Sequence, residues 1–172
     1  MKNSKFKIKD IAIREACSSD YNEVAEILFD IASLHHQGAP NIFKKPKEND
    51  PTIKEDFLNA VKDNKNGYFV AIFNNEVVGL VSISIKERRR AEHIVPGKFA
   101  YITELGVKKE FRSQGVGKVL LDRALKWINA QKDIQEVALN VRSFNEGAIK
   151  FYKSMGFEPV SYRMSKRINY GK

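Results

Sequence analysis

The run Arg112-Ser113-Gln114-Gly115-Val116-Gly117-Lys118 constrains the fold of this chain more than any other segment, because of what stands on either side of it. Before it, Phe99-Ala100-Tyr101-Ile102-Thr103-Glu104-Leu105-Gly106-Val107 reads as a strand. After it, Val116 to Gln131 reads as a helix, with Val116, Val119, Leu120, Ala124, Trp127 and Ile128 on one apolar face. The glycine-bearing loop therefore falls where a strand hands over to the first turn of a helix. Free backbone N–H groups gather at such a place, and the helix dipole favours negative charge there. Gly115 and Gly117 carry no Cβ, so a bulky anion can come close to the main chain. In outline this is a phosphate-binding site.

Three familiar phosphate loops fail against these residues. A Walker A loop needs a glycine where Arg112 stands and Ser or Thr where Val119 stands. The dinucleotide fingerprint needs a third glycine, and Val119 and Leu120 follow Gly117 instead. A kinase glycine loop lies between strands, not ahead of a long helix.

The pattern that fits is Arg/Gln-x-x-Gly-x-Gly/Ala, and with it the chain resembles the GNAT family of N-acetyltransferases, which hold the pyrophosphate of acetyl-coenzyme A on such a loop. A second block strengthens the resemblance: Leu139-Asn140-Val141-Arg142-Ser143-Phe144-Asn145-Glu146-Gly147-Ala148-Ile149-Lys150-Phe151-Tyr152-Lys153-Ser154-Met155-Gly156-Phe157. It is similar to the family's later motif, in which a strand ends, an Asn opens a short helix, a Tyr follows two turns on, and a Gly-Phe step leads to the last strands. The resemblance extends over residues 8–168. The group from Leu34 to Lys44 is similar to a Leu-His…Pro-Asp-Ile-Phe-Lys segment of an uncharacterised, bacterial-type branch, which carries no secure substrate.

With 172 residues the chain has the length of one domain with a substantial core, so residues 1–172 are expected to form a single N-acetyltransferase domain with its core at 8–168. Thirty basic and twenty-one acidic residues leave a net charge of +9. The charge is dispersed, apart from Lys86-Glu87-Arg88-Arg89-Arg90, and neither zinc-finger spacing nor the aromatic motif of an RNA-recognition sheet is present. Nucleic acid is therefore not expected as a partner, and a coenzyme with several phosphate charges accounts for part of the excess. Cys17 is the single cysteine, which rules out an intramolecular disulfide. Neither a signal-peptide core nor an apolar run of membrane-spanning length appears, so a reducing cytoplasm is the expected compartment, with no membrane partner.

Periodicity places a first strand over Ile8 to Ala16 and a helix after the N-cap candidates Ser18-Ser19-Asp20, with Tyr21, Val24, Ala25, Leu28, Ile31, Ala32 and His35 on one face. Gly38 to Pro46 ends it, and a second helix runs from about Pro51 to Asp63. Tyr68 to Phe73 and Val77 to Ile85 form a hairpin about Asn74-Asn75-Glu76, and Lys86 to Lys98 is a long connection. Beyond the loop and its helix lie a strand near Glu136–Val141, a helix near Asn145–Met155, and one or two closing strands over Pro159–Ile168. This order is mixed α/β with antiparallel meanders rather than a doubly wound parallel sheet. The resemblance implies a central mixed, mostly antiparallel sheet, splayed between its fourth and fifth strands and flanked by helices.

Moving an acetyl group from a thioester to an amine requires a held coenzyme, a deprotonated amine, a stabilised oxyanion and a protonated leaving thiolate. For the first, the resemblance puts the amides of Arg112, Ser113, Gln114, Gly115, Val116, Gly117 and Lys118 on the pyrophosphate. It also implies a bulged strand whose main-chain groups at Leu105, Gly106 and Val107 pair with the pantetheine arm, and an N–H of Val107 or Leu105 on the thioester carbonyl. Gly106 fits a bulge or a close approach, or else an ordinary twist of the sheet. Glu104 stands where many members carry a carboxylate and is the candidate general base; the plainer role is binding a cationic substrate. Tyr152, a phenol with pKa about 10, matches a thiol closely and is the candidate general acid. Asn145, two helical turns earlier, is placed to reach the pantetheine amides.

His35, His36 and His93 find no Asp, Glu or Cys at ligand-like spacing, and no metal is expected. The acceptor is a primary amine of a small molecule or peptide, attacked directly in a ternary complex. The competing reading is a non-catalytic acetyl-CoA-binding sensor or interaction module, which would retain the loop yet lose Glu104 and Tyr152; both are present. The resemblance is compatible with a homodimer. The segments 35–46 and 86–98 are expected to flank the acceptor groove, with Arg88, Arg89 and Arg90 favouring a neutral or carboxylate-bearing amine over a polyamine.

Overall fold

Two strands carry apolar residues on both faces, and a sheet forms around them. In the computed structural model, which describes residues 6–89, 91–166 and 168, β1 (Ala12–Glu15), β2 (Asn66–Phe73), β3 (Glu76–Glu87), β4 (Lys98–Val107) and β5 (Ile134–Leu139) make one sheet in the order β1-β2-β3-β4-β5. The first three pairings are antiparallel and β4–β5 is parallel. Helices α1 (Tyr21–Gly38), α2 (Pro51–Ala60), α3 (Val116–Asn129) and α4 (Glu146–Ser154) accompany it. The chain divides into two compact units, Met1–Asn140 and Val141–Lys172.

In the first unit, each face of the sheet is covered by a helix, and two glycines record how closely. A Cβ on Gly106 would stand 2.6 Å from Ile27 Cγ2 and 2.8 Å from Ile31 Cδ1 of α1. A Cβ on Gly79 would stand 2.9 Å from Leu120 Cδ1 of α3. The α1/α2 side is filled by Val24, Ile27, Phe57, Tyr68, Val70, Val77 and Leu80. The α3 side receives Leu120, Leu121, Ala124 and Ile128, with Trp127 edge-on to Phe69. Burying a Leu or Ile side chain contributes about 1.5–3 kcal/mol, so these two layers hold the unit together.

The first helix is pinned to the first strand by a charged pair. Asp20, 5% exposed, accepts two 2.7 Å hydrogen bonds from the Arg14 guanidinium and one from the Cys17 N–H. Asp20 is thus committed to β1 and does not cap α1 with its side chain, contrary to the sequence expectation. Asp50 does cap α2, accepting from the Thr52 N–H, and Pro51 fills the first turn.

Other expectations need correction. Ile8–Asp10 is a 3-10 turn, so β1 is four residues long rather than nine. β5 begins at Ile134, two residues earlier than expected, and ends at Leu139. In the second unit α4 is as anticipated, but residues 157–166 form no strand. Val160, Tyr162 and Met164 alternate as a strand would and are all exposed, so periodicity alone brings no ladder partner.

Candidate active site

The site grows out of the last half of β4. β5 pairs with β4 from Lys98 to Ile102 and then ends, whereas β4 runs on to Val107. On its other side β4 stays laddered to β3 throughout, with Leu105, Gly106 and Val107 opposite Val81, Leu80 and Gly79. Among the described residues, the β5-facing edge of 103–107 therefore has no strand beside it in the sheet, and an extended chain fits there by main-chain hydrogen bonding. The expected bulge exists but lies earlier. Ser82 opposes Glu104 and Ile83 opposes Ile102, leaving Thr103 as the extra residue. Gly106 stands in regular register opposite Leu80, away from the bulge, and its missing side chain is what lets Ile27 and Ile31 of α1 sit against the strand.

That bulge decides where Glu104 points. Ile102 shares the α3 face with Ile83, which meets Trp127 about Gly67. In a regular strand Glu104 would share it too, two residues on. The extra residue at Thr103 turns Glu104 to the α1/α2 face, beside Ser82, whose hydroxyl is hydrogen-bonded to that of Thr103.

Glu104 there borders a cavity of about 260 Å3. Leu28 of α1, Ile53 and Phe57 of α2 and Tyr68 of β2 supply its apolar wall. Phe57 and Tyr68 meet edge to face, their centroids 5.2 Å apart. Burial pushes the Glu104 carboxyl up to about 7, from an ordinary value of 4.5. Burial, and then the charge of Glu104, push the Tyr68 phenol up as well, so Tyr68 stays protonated. Tyr68, Phe57, Leu28 and Ile53 carry no sequence signal as site residues, since each reads as ordinary core in its own element.

After Val107 the chain makes a 3-10 turn over Lys109–Phe111 and enters the glycine loop. Ser113 and Gly115 both have positive φ, 59° and 90°, and Gly115 is the N-cap of α3 with no side chain capping the helix. Val116, Gly117 and Lys118 are the first helical residues, and the N–H groups of Val116 and Gly117 belong to the set that lacks intrahelical acceptors. The side chains of the loop turn back to the protein and shape it. Arg112 Nε donates to Val107 O at 2.8 Å, its guanidinium lies 3.4 Å from Asp30 of α1, and Gln114 Nε2 donates to Glu110 O at 2.6 Å. Lys108 adds a second tie to α1, 3.0 Å from Glu26.

The second unit presents Asn145 and Tyr152. Asn145 is the N-cap of α4, not its first helical residue, and its Oδ1 accepts from the Ala148 N–H. Its amide nitrogen is the end left for other contacts, and the face shared with Tyr152 through two helical turns no longer follows. Tyr152 is half-buried, its ring between those of Phe151 and Phe157.

His35 and His36 are local props. The His35 ring stacks on Phe43 at 5.0 Å, and His36 Nδ1 lies 2.8 Å from Phe43 O, which closes the chain back on the end of α1. Among the described residues no group of three or more His, Cys, Asp or Glu is placed to hold a metal, and no helix is long and apolar enough to cross a membrane. Arg88 is engaged on β5, at 2.7 Å from Glu136 and 3.0 Å from Gln135; Arg90 lies outside the described residues. No described residue of 86–98 lines the cavity beside Glu104.

The model of the GNAT acetyltransferase family matches residues 27–157. The chain is 27% identical over 168 residues to N-alpha-acetyltransferase 60 of Xenopus tropicalis, a match covering 90% of this chain and 62% of the frog protein. It is 29% identical over 167 residues to an uncharacterized N-acetyltransferase of Methanocaldococcus jannaschii, covering 94% of this chain and 69% of that one. A crystal structure of a four-fold mutant of a Bacillus halodurans protein superposes with a TM-score of 0.82 at 26% identity, over 91% of this chain and 99% of that one. The chain thus spans less than two-thirds of the frog relative's length.

Proposed function

The chain belongs to the GNAT acetyltransferase family, and from that premise we propose that it is an enzyme carrying the acetyl group of acetyl-CoA to a primary amine, by direct attack in a ternary complex. The observation that carries this reading is Glu104: a carboxyl whose burial holds it at about 7, turned by a bulge into a cavity beside the open edge of β4. The family match crosses the boundary at residue 140, which supports one catalytic domain made of both units.

The residues present suit the coenzyme. The uncapped first turn of α3 and the positive-φ residues before it direct N–H groups at an anion, and the edge of residues 103–107 suits the extended pantetheine arm. Bound acetyl-CoA supplies the thioester, an acyl group already activated towards an amine. The N–H of Leu105 or Val107 polarises its carbonyl, and Asn145 contacts the arm. Glu104 takes one proton from the acceptor's ammonium. The freed nitrogen pair bonds to the thioester carbon, and the C–S bond breaks. Tyr152 gives its proton to the departing sulfur; the second proton shed by the nitrogen returns through solvent to the phenolate. A base near 7 removes that proton with less mismatch than an ordinary carboxylate.

Among primary amines, a peptide α-amine is the first acceptor to test, because the frog relative is by name an N-alpha-acetyltransferase. The cytoplasm is the expected setting, and solution scattering would settle whether the chain is a dimer. Following thiol release from acetyl-CoA over a panel of peptides and small amines tests the whole reading. Acetyl-CoA binding without transfer to any amine would instead leave the non-catalytic sensor.

A further inference from the structure

The cavity beside Glu104 has a composition that selects its occupant. Its wall is apolar at Leu28, Ile53, Phe57 and Tyr68. Its charged residues are Glu104 and, on the solvent-facing side of α2, the exposed Asp56. Among the described residues, no Lys, Arg or His lines it. We infer that this cavity receives the body of the acceptor, and that the acceptor is a primary amine borne on an uncharged, apolar group with no carboxylate beside the nitrogen. The inference rests on the acetyl-transfer reading and adds the substrate class.

Three physical points lead there. An acceptor carboxylate would enter a space whose two charged groups are themselves carboxylates, and would be desolvated with no cation to receive it. A polyamine would place further ammonium groups against Leu28, Phe57 and Tyr68, with Asp56 at the rim as their single anion besides Glu104. An apolar group loses nothing on leaving water and gains by covering the Phe57–Tyr68 wall. Size sets a limit as well. At about 30 Å3 per water in the liquid, a volume of about 260 Å3 holds a group the size of a branched aliphatic or single aromatic side chain. Arg88 and Arg89, expected to favour a carboxylate-bearing amine, have no place in this wall.

The same chemistry is found in a small monoamine and in a peptide that begins with an apolar residue, and the acceptor panel separates them. Phenethylamine, isoamylamine and a Leu-first peptide amide are compared with phenylalanine, a Glu-first peptide amide and spermidine. Phenethylamine is expected to exceed phenylalanine in kcat/KM by at least tenfold, and the Leu-first peptide to exceed the Glu-first one similarly. The Ile53→Lys variant, which puts a cation in the wall, is expected to narrow both ratios while acetyl-CoA affinity holds. Binding is read separately, by NMR titration of phenethylamine in the presence of CoA, with shifts expected at Leu28, Ile53 and Tyr68. Preference for phenylalanine, the Glu-first peptide or spermidine, or no shift at those residues, overturns the inference and leaves acetyl transfer standing. Phenethylamine binding at those residues with no acetyl transfer to any amine overturns the transferase reading and leaves the cavity's ligand class intact.

Discussion

The loop at 112–118 and the cavity beside Glu104 sit at the same end of the same strand, yet they are made in opposite ways. The loop is continuous in sequence and works through its backbone. Its identity lies in glycines, in a positive φ at Gly115 and in an uncapped helix start. The cavity is made of side chains drawn from five elements, Leu28 on α1 through Glu104 on β4. A backbone device tolerates little sequence change and therefore looks alike across a family. A side-chain wall changes one residue at a time, and acceptor choice can drift while coenzyme binding holds. The GNAT match thus speaks strongly for the donor and weakly for the acceptor.

The sharpest way to break that comparison is at Glu104, which belongs to both halves. Glu104→Gln is expected to lower kcat by about a hundredfold or more near neutrality, the usual contribution of a positioned base. In the unsubstituted enzyme, single-turnover rates are expected to rise with pH through about 7 as Glu104 ionises. The variant loses that limb and recovers partly at high pH, where more amine is already free. A pH profile retaining the limb would remove Glu104 from the chemistry. Stability follows the reverse sign. A carboxyl raised in the folded state gives a contribution that is full below about 4.5 and is lost as pH rises through about 7. Chemical denaturation of the Gln variant is expected to show that pH dependence flattened.

Gly115→Val tests the backbone half. A β-branched residue at a φ of 90° costs about 1–3 kcal/mol, and its side chain blocks the approach to the amides. Acetyl-CoA affinity by calorimetry is expected to fall by at least tenfold in a folded variant; an unchanged constant would take the loop out of the site. Tyr152→Phe removes only a hydroxyl, so turnover is expected to fall with coenzyme affinity nearly intact, and full activity would leave Tyr152 a packing residue. Gly106→Ala separates packing from binding. Its Cβ would meet Ile27 at 2.6 Å, an overpacking that costs about 1–3 kcal/mol. Thermal unfolding is expected to show the loss. A variant as stable as the parent would return Gly106 to the coenzyme. The smallest effect belongs to Asp20→Asn, which weakens the Arg14 pair; since Arg14 holds the Asp20 carboxyl below its usual 3.8, the difference between the two proteins is expected to shrink as pH falls below 3.8 and to vanish once pH has passed through the lowered folded-state value.

Legibility followed the same divide. The β4–loop–α3 sequence could be read because alternation, two glycines and a 3.6-residue period agree within a short stretch. α4 and its Asn145 cap were readable for the same reason, although the cap took Asn145 out of the helix. Elements whose state depends on distant partners were not. Ile8 to Asp10 lies in the stretch expected as the first strand yet turns, and Val160, Tyr162 and Met164 alternate with no ladder. Gly106 was visible as an anomaly, but its cause, a pair of isoleucines some 75 to 79 positions earlier, was not. The cavity was least legible, since a Phe on one helix and a Tyr on one strand look like core until the bulge at Thr103 turns a carboxylate into the cavity they line.

One feature of the frame ties the two halves together. α1 lies against Gly106 through Ile27 and Ile31, grips the loop through Asp30–Arg112 and Glu26–Lys108, and lends Leu28 to the cavity. Loop and cavity therefore lean on one rod. For an occupant that shifts the rod from one side, reciprocity requires that the factor by which a ligand in the cavity changes the affinity of one at the loop equal the factor in the other direction.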